Sequence, residues 1–464
     1  MNISVIFIVI LLLGFTFIAT AFFTKINRAA VAMFMAVVGW ILYICYGSMF
    51  VIDQHPRDFL LFLMGDTPSA ENVKLFIAQN IFVKYVGVVA EVVFFILATM
   101  TIVQILDTNG CFDFISNLLR TRSSRKIIWL LAGISFALSC SIDNVTVTMM
   151  MLVIMHKMVS NRQHRVLYGC AILIAATCGG CMTVIGDFVG LVLWSREAVT
   201  ATTYTATLLV PCMLAAAIPI ALISRKLPER EDLQAYVAPF RGDDTRLRPK
   251  EQIMLFVVSF LGLWLVPTFT KYTHLSPFLG ALCVLALVWV VNESLNRKLI
   301  NSDQMVQLRR PRAIQYISLQ NILYVIGIML TLAAVKETGY LTRFASFCGT
   351  LFHNDIFILG TLAGVVSTFL DTFTTAVTSF EMYDVTVGGF FVADGPYWPI
   401  ISFCTAIGGM MFCVGSMSGI TFMKMEKVSL KTFISKFTGK IFLGWLVGML
   451  FLYAEIYFFN IWEW

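Results

Sequence analysis

Two polar stretches within an otherwise apolar sequence carry the residues that could do chemistry. The first, 139–148, contains Asp143 and Asn144, and the second, 367–375, contains Asp371. Both follow the pattern Ser-x-x-x-Asp-[Asn/Thr]-x-Thr. A charge at bilayer depth costs at least ~2.5–3.5 kcal/mol on insertion scales, so an acid there is by default a hypothesis of function. The structural alternative is that both aspartates cap the helices that follow them.

Two glycine pairs and two short glycine motifs follow the aspartates at matched distances. Gly179-Gly180 is matched in the second half by Gly408-Gly409. Ile185-Gly186-Asp187 is matched by Val414-Gly415-Ser416 at the same separation along the chain, and the separation of Asp143 from Asp371 is shorter by a single position. One insertion therefore aligns all three pairs. We predict an internal repeat, in which each half contains a helical hairpin with a polar tip and a helix broken at its glycines.

The carboxylates of Asp143, Asp187 and Asp371 are expected to line one cavity between the two tips. Such hard oxygen ligands suit Na⁺ or Li⁺, and Ser, Thr and Asn side chains complete a polar lining. Burial favours the protonated carboxyl group, whereas a bound cation favours the carboxylate, so proton and cation compete. Competition at a site that alternates its exposure predicts cation/proton exchange. No resident cofactor is expected, because the cargo itself is the only ion required.

The composition predicts a polytopic membrane protein of the all-α class. Of 464 residues, 59% are hydrophobic and 13% are charged. The hydrophobic share of soluble proteins is about 45–50%. Ten crossings are predicted at 3–22, 29–47, 84–106, 166–194, 204–224, 252–270, 275–292, 319–338, 397–423 and 440–460. Two apolar segments with arms too short to span, 127–157 and 354–383, are predicted to be re-entrant hairpins. The spans 166–194 and 397–423 are the two predicted broken helices.

The distribution of basic residues predicts the orientation of these elements. Of the 33 Lys and Arg residues, 26 fall in the stretches 23–29, 107–126, 157–165, 225–251, 293–318 and 424–440. Basic residues concentrate in cytoplasmic loops, so both termini are expected outside. The first hairpin should enter from the cytoplasm and the second from outside. The chain then divides into a first half (1–224), a cytoplasmic linker (225–251) and an inverted second half (252–464).

Other partners and sites are disfavoured by the same composition. The net charge of +6 comes from short loops between apolar spans, so nucleic acid is not an expected partner. The 11 cysteines lie mostly within apolar spans, and the single CxxC spacing, at 178–181, has no second pair to complete a zinc site. Disulfides and a zinc site are therefore disfavoured. The expected partners are the lipid bilayer, monovalent cations and protons.

At these motifs the sequence resembles the NhaD-type Na⁺/H⁺ antiporters, which belong to a broader ion-transporter superfamily with arsenite and dicarboxylate carriers. The resemblance covers most of the chain and is best at 26–30, 90–103, 139–146, 179–187 and 415–427. It implies scaffold and transport parts, a homodimer that moves as an elevator, and a bacterial-type inner membrane. The functional residues that it implies are Glu91, Ser139, Asp143, Asn144, Thr146, Asp187, Ser367, Asp371 and Ser416, with Thr372 where the family has Asn. The chain also departs from the family pattern at Thr177, Val184, Val189, Ser318 and Met410.

Two other functions fit part of the sequence. An anion carrier for a dicarboxylate or arsenite would bind its cargo with hydroxyls, amides and helix N-termini, but the acids at both tips disfavour an anion unless Na⁺ neutralises them. An intramembrane aspartyl protease would share one proton between two aspartates. The stretch 184–187 lacks the first glycine of the Gly-x-Gly-Asp element that such a protease needs, and a protease leaves the repeat unexplained. Glu381 and Glu455, which lie near span ends, are expected at the membrane interface.

Overall fold

The computed structural model of the chain describes residues 3–64, 67–112, 115, 121, 123–231, 247–295, 312–386 and 389–458. Within these ranges the backbone is almost entirely helical, and the only β-pairing consists of two isolated bridges. The predicted all-α class is therefore confirmed. Most of the predicted linker 225–251 lies outside the described residues.

The chain builds two sets of helices that follow one another in the same order. The helices of the first half are α1 (Ile3–Thr24), α2 (Arg28–Tyr46), α3 (Ser48–Gln54), α4 (Pro56–Leu63), α5 (Ala70–Phe76), α6 (Val83–Thr108), α7 (Ser124–Ser139), α8 (Asn144–Met158), α9 (Arg162–Met182), α10 (Phe188–Ser195) and α11 (Ala201–Ser224). Those of the second half are α12 (Pro249–Thr273), α13 (Pro277–Leu295), α14 (Arg312–Lys336), α15 (Tyr340–Phe352), α16 (Ile356–Phe369), α17 (Thr372–Met382), α18 (Tyr397–Met411), α19 (Met417–Met425), α20 (Leu430–Phe433) and α21 (Gly439–Phe458). One π-helical turn joins α5 to α6 and another joins α20 to α21.

Nine helical segments in the described part of the chain are long and apolar enough to cross a membrane. They are α1, α2, α5–α6, α9, α11, α12, α13, α14 and α20–α21. These segments coincide with nine of the ten predicted crossings. The tenth, 397–423, consists of α18 and α19, which are short because the helix is broken between them. The chain is thus an integral membrane protein.

Two helical hairpins, α7–α8 and α16–α17, form where the sequence predicts them. Their arms contain 16 and 15 residues in the first hairpin and 14 and 11 in the second, fewer than the ~20 that a spanning helix needs. Asp143 and Asp371 are the N-caps of the second arms, and each accepts a hydrogen bond from a backbone amide of the first turn. Each aspartate therefore has the capping role that the structural alternative proposed.

The two predicted broken helices are α9–α10 and α18–α19. The first is interrupted between Met182 and Phe188, and the second between Met411 and Met417. Each break contains one glycine, Gly186 in a turn or Gly415 in a bend. The glycine pairs at 179–180 and 408–409 lie in the last turns before the breaks.

The halves pack in matching ways. Each hairpin packs against the broken helix of its own half, α7 on α9 and α16 on α18. The second arm of each hairpin also packs against the broken helix of the other half, α8 on α19 and α17 on α10. On the outside of this unit α2 packs on α14 and α13 packs on α6. The two polar tips and the two breaks are thereby brought to the centre of the molecule.

Several features differ from the sequence-based expectations. The segment between the second and third predicted crossings contains three short helices, α3 to α5, and α15 lies between the eighth crossing and the second hairpin. Glu381 and Glu455 are buried within the protein, at 2% and 7% exposure, and their position at the membrane interface stays a prediction. Glu381 is buried because it pairs with Arg196 and Lys336. Arg28, which the pattern of basic residues assigns to a cytoplasmic loop, is also buried.

A polar cluster surrounds Glu337, which lies just after α14. Its carboxylate accepts hydrogen bonds from Tyr43 and Tyr85 and contacts His55 Nε2 at 2.7 Å. The hydrogen bond with Glu337 raises the pKa of His55 above 6.5, although partial burial acts in the other direction. Burial opposes ionisation of Glu337, but the hydrogen bonds from His55 and Tyr85 outweigh it and lower the pKa of this carboxyl group below 4.5. Both shifts therefore favour the ion pair between the protonated ring of His55 and the carboxylate of Glu337.

Candidate functional site

A small cavity of about 40 Å³ lies where the two hairpin tips meet the two broken helices. Both halves contribute to its wall. Its polar lining consists of Asn144, Thr177, Asp187, Tyr324, Asp371, Thr372, Ser416 and Ser418, with Phe188, Phe373 and Met417 among its apolar neighbours. A volume of this size admits a few water-sized groups, because one buried water needs about 10–15 Å³ by this kind of measure.

Asp143 lies directly behind this wall, at the first tip. Its Oδ2 accepts hydrogen bonds from the amide and the hydroxyl of Thr146, both at 3.0 Å. Its Oδ1 is fully buried and has no hydrogen-bond partner among the described residues. A buried carboxylate oxygen without a partner is costly, so a ligand at this position would be favoured.

The first break supplies a second carboxylate and a second unpartnered oxygen. Asp187 precedes α10, is 8% exposed and makes no capping hydrogen bond to that helix. Its carboxylate is close enough to interact electrostatically with Asp143 and, less strongly, with Asp371. The Thr177 hydroxyl faces the same cavity and has no hydrogen-bond partner in the described part of the chain. Carboxylate, amide and hydroxyl oxygens therefore surround this end of the cavity.

Asp371, at the second tip, has a different environment. Its Oδ2 accepts hydrogen bonds from Tyr324 OH at 3.1 Å and from the amides of Phe373 and Thr374 at 3.1 and 3.3 Å. Its Oδ1 lies 3.4 Å from Nη1 of Arg28, which is itself buried. Both oxygens of Asp371 therefore have partners from the protein.

Hydrogen bonds hold each tip against its own broken helix. The Ser139 hydroxyl donates to the Ala176 carbonyl at 2.6 Å, and the Ser367 hydroxyl donates to the Thr405 carbonyl at 2.7 Å. The first residue of α17, Thr372, adds a bond from its amide to the Gly415 carbonyl at 2.8 Å. The serines of the repeated motif thus join hairpin to broken helix, and their hydroxyls do not point into the cavity.

Glycines permit the close approach of tip and break. A Cβ added at Gly186 would lie 2.2 Å from the Ser139 carbonyl oxygen, and one at Gly415 would lie 2.0 Å from that of Ser367. Contacts of Cβ with other heavy atoms are ordinarily 3.4–4 Å. Only glycine fits at these two positions without moving the tip.

The remaining predicted site residues lie at the cavity wall, with the exception of Glu91. Asn144 Oδ1 accepts a long hydrogen bond of 3.4 Å from Ser418, which connects the first hairpin to α19. Ser416 caps α19 and lines the cavity. Glu91 is absent from the wall; it accepts a hydrogen bond from Ser195 at 3.1 Å, which joins α6 to the end of α10.

The sequence interpretation missed four residues of the site: Arg28, Thr177, Tyr324 and Ser418. Within the described ranges, no three His, Cys, Asp or Glu side chains are close enough to hold one metal ion together. An ion in this cavity would therefore combine one or two carboxylates with neutral oxygens.

Known transport proteins are similar to this chain over most of its length. The family described as "Citrate transporter" matches residues 17–300. "Sodium/proton antiporter 1" of Arabidopsis thaliana is 30% identical over 364 residues, which make up 78% of this chain and 61% of that protein. "Na(+)/H(+) antiporter NhaD" of Vibrio cholerae is 22% identical over 388 residues, covering 78% and 77%. The crystal structure of the Alcanivorax borkumensis YdaH transporter has the same fold, with a TM-score of 0.57, 13% identity and coverage of 93% and 98%.

Proposed function

Because the chain belongs to the citrate transporter family, we propose that this membrane transporter exchanges Na⁺ or Li⁺ for H⁺ by alternating access. The predicted resemblance to NhaD-type antiporters is confirmed by its relatives. A transporter of this family is not an enzyme, so the protease alternative is wrong. The exchange itself, its ions and the roles of single residues are what we propose below.

The observation that best supports a cation is the cavity at the two tips. Asp187 and Asp371 line it, Asp143 lies behind it, and Asp143 Oδ1 and Thr177 Oγ1 lack hydrogen-bond partners among the described residues. Carboxylate and hydroxyl oxygens are ligands that a hard cation prefers. We assign the cation to the end of the cavity between Asp143 and Asp187, with Asn144 and Thr177 as neutral donors.

Proton coupling follows from the same carboxylates. Asp143 and Asp187, if both are ionised, repel one another, and either a proton or a cation relieves that repulsion. Since both cannot neutralise the same carboxylate at once, cation binding displaces protons. If the site is open to one side of the membrane at a time, the net result is antiport.

The alternative cargo is an anion such as citrate or another dicarboxylate, which the description of the family favours. Two features of the cavity oppose it. A volume of about 40 Å³ is far below the ~300–1,000 Å³ of typical small-molecule pockets. The buried guanidinium of Arg28, beside the cavity, already contacts Asp371. A carboxylate cargo would therefore meet acids without a free counterion.

The membrane arrangement is part of the proposal. Basic loops place both termini on the outer side of a bacterial-type inner membrane, with the first hairpin reached from the cytoplasm and the second from outside. The resemblance further suggests a homodimer in which the hairpins and broken helices move as an elevator relative to a scaffold. The matched packing of the two halves supports an internal repeat of this kind.

The decisive experiment measures proton movement in liposomes that contain the purified protein and a pH-sensitive dye. Addition of Na⁺ or Li⁺ should move protons, whereas K⁺ and citrate should not. Asp143→Asn should reduce the rate by at least about tenfold, because a ligand bond to a charged group contributes ~1.5–3 kcal/mol.

Asp355→Asn provides the matched control for this variant. Asp355 also caps a hairpin helix, α16, but it is exposed and is absent from the cavity wall. The control loses the same charge and keeps a side chain that can cap. Exchange should therefore stay near the wild-type rate. Proton movement driven by citrate, or unaltered exchange in Asp143→Asn, would refute the proposal.

A further inference from the structure

The two tips carry the same acid but differ in how that acid is neutralised. At the second tip, Asp371 receives a hydroxyl, two amides and a guanidinium. At the first tip, Asp143 accepts hydrogen bonds from the amide and hydroxyl of Thr146, and no basic side chain of the described residues pairs with it. Its second oxygen has no partner in the described residues. The two tips therefore differ in the hydrogen-bond donors and positive charges around the aspartate, whereas the aspartate itself is the same.

Two substitutions between the repeats explain this inequality. Tyr324 on α14 donates to Asp371, whereas the two separations that align the repeated motifs match it to Phe95 or Ile96 of α6, and neither side chain has a hydroxyl. Arg28 begins α2, whereas the helix in the equivalent packing position, α13, begins with Pro277. The first tip therefore lacks both groups that satisfy the carboxylate of the second.

Arg28 also binds the oxygen atoms that would be the ligands of a cation at the second tip. Its Nη2 donates to the Val414 carbonyl at 2.8 Å, in the second break, while its Nη1 faces Asp371. A carboxylate and a carbonyl freed by a broken helix are the ligands a hard cation takes in such sites. A guanidinium keeps its charge under all physiological conditions.

We propose that Arg28 is a built-in counterion that fills the second tip in place of a transported cation, leaving a single cation site at Asp143 and Asp187. The inference rests on the proposed cation exchange and deepens it, since it fixes how many cations the cavity holds. Asp371 then acts as the partner of Arg28 and not as a ligand of the cargo. Arg28 influences transport through charge, as a specificity-determining residue.

A charge-neutralisation cycle tests this assignment on the full-length protein in detergent. The variants are Arg28→Gln, Asp371→Asn and the double variant, with Lys25→Gln as a control that removes an exposed positive charge just before α2. Equilibrium binding of radioactive Na⁺ should give one ion per chain for the wild type and for the control. Arg28→Gln should bind a second ion at the uncompensated Asp371.

The remaining two variants separate a counterion from a ligand. Asp371→Asn leaves the guanidinium uncompensated beside the site, so the Na⁺ concentration for half-saturation should rise at least tenfold. The double variant restores neutrality and should bind one ion with a half-saturating concentration within threefold of the wild type. Two ions in the wild type, no second ion in Arg28→Gln, or a double variant as impaired as Asp371→Asn would overturn the inference.

Apparent unfolding temperatures of the same proteins distinguish this failure from failure of the exchange proposal. Each single variant should unfold at a lower temperature than the wild type, and the double variant should recover most of the difference. If the wild type binds neither Na⁺ nor Li⁺, the proposed exchange is wrong. In that case the assignment of Arg28 as a counterion is supported only if the double variant recovers the unfolding temperature of the wild type. It is refuted if the double variant is no more stable than either single variant.

Discussion

Replacement of Gly186 by alanine tests whether the contact between the first tip and the first break determines activity. The added Cβ would lie 2.2 Å from the Ser139 carbonyl oxygen and 2.8 Å from Gly180 Cα. Both neighbours are backbone atoms, so no side chain can rotate away. To reach an ordinary contact of 3.4 Å, the tip must retreat from the break by about 1 Å.

The size of the effect follows from this displacement. Overpacking of a well-packed interior costs ~1–3 kcal/mol. A displacement of about 1 Å can reduce the rate of a positioned site by roughly 10²-fold. Gly186→Ala should therefore lower Na⁺-dependent proton movement far more than it lowers the apparent unfolding temperature. Gly415→Ala should behave in the same way, since its Cβ would lie 2.0 Å from the Ser367 carbonyl oxygen.

Gly133→Ala is the matched control, because Gly133 lies in α7 of the same hairpin. A Cβ at Gly133 would meet no heavy atom within 4 Å. Alanine is favoured over glycine in a helix by roughly 0.5–1 kcal/mol, so this variant should be as stable as the wild type or more so. Full exchange activity in Gly186→Ala, or an equal loss in Gly133→Ala, would show that the tip-to-break contact does not position the site.

Two further predictions concern charge and access. The wild type should have its highest apparent unfolding temperature between about pH 4.5 and 6.5 and lose stability as the pH rises through the raised pKa of His55, because the protonated ring stabilises only the folded state. His55→Gln should flatten that decline, whereas His274→Asn, at the exposed end of α12, should not. In a background without native cysteines, Ser141→Cys should react with a membrane-impermeant thiol reagent from the cytoplasm and Thr372→Cys from outside. Reaction of both from one side would contradict the predicted orientation.

The positions of the hairpins and breaks could be predicted because their signals are local. An aspartate between two short apolar arms, followed by a glycine pair, specifies a tip and the break that faces it. The shared spacing of the repeated motifs then predicts that both tips meet, and the cavity formed by Asp187 and Asp371 agrees with that expectation. Spans whose apolar length matches a bilayer are equally accessible to this reasoning.

The partners of single charges could not be predicted, because they lie far apart in the chain. Arg28 and Asp371 are separated by 343 residues, and Arg28 has the sequence context of a loop charge beside the exposed Lys25. Glu381 has the sequence context of an interface residue, because it lies near the end of a predicted span. Its ion-pair partner, Arg196, comes from the other half of the chain. Burial of such groups depends on tertiary pairing, which hydrophobic periodicity does not report.

The hydrogen bonds of the site also define which parts can move together. Ser367 donates to the Thr405 carbonyl, and the Thr372 amide donates to the Gly415 carbonyl, so the second hairpin is joined to its own broken helix at both sides of the tip. Arg28 reaches this pair from α2, which packs on α14. Any displacement of the second hairpin relative to α2 must therefore break the Arg28 contacts, and one that preserves them must carry α2 along. If the hairpins and broken helices move as proposed, the ion pair lies at the boundary between the moving unit and its support, where a change in cation occupancy would alter the free energy of movement most directly.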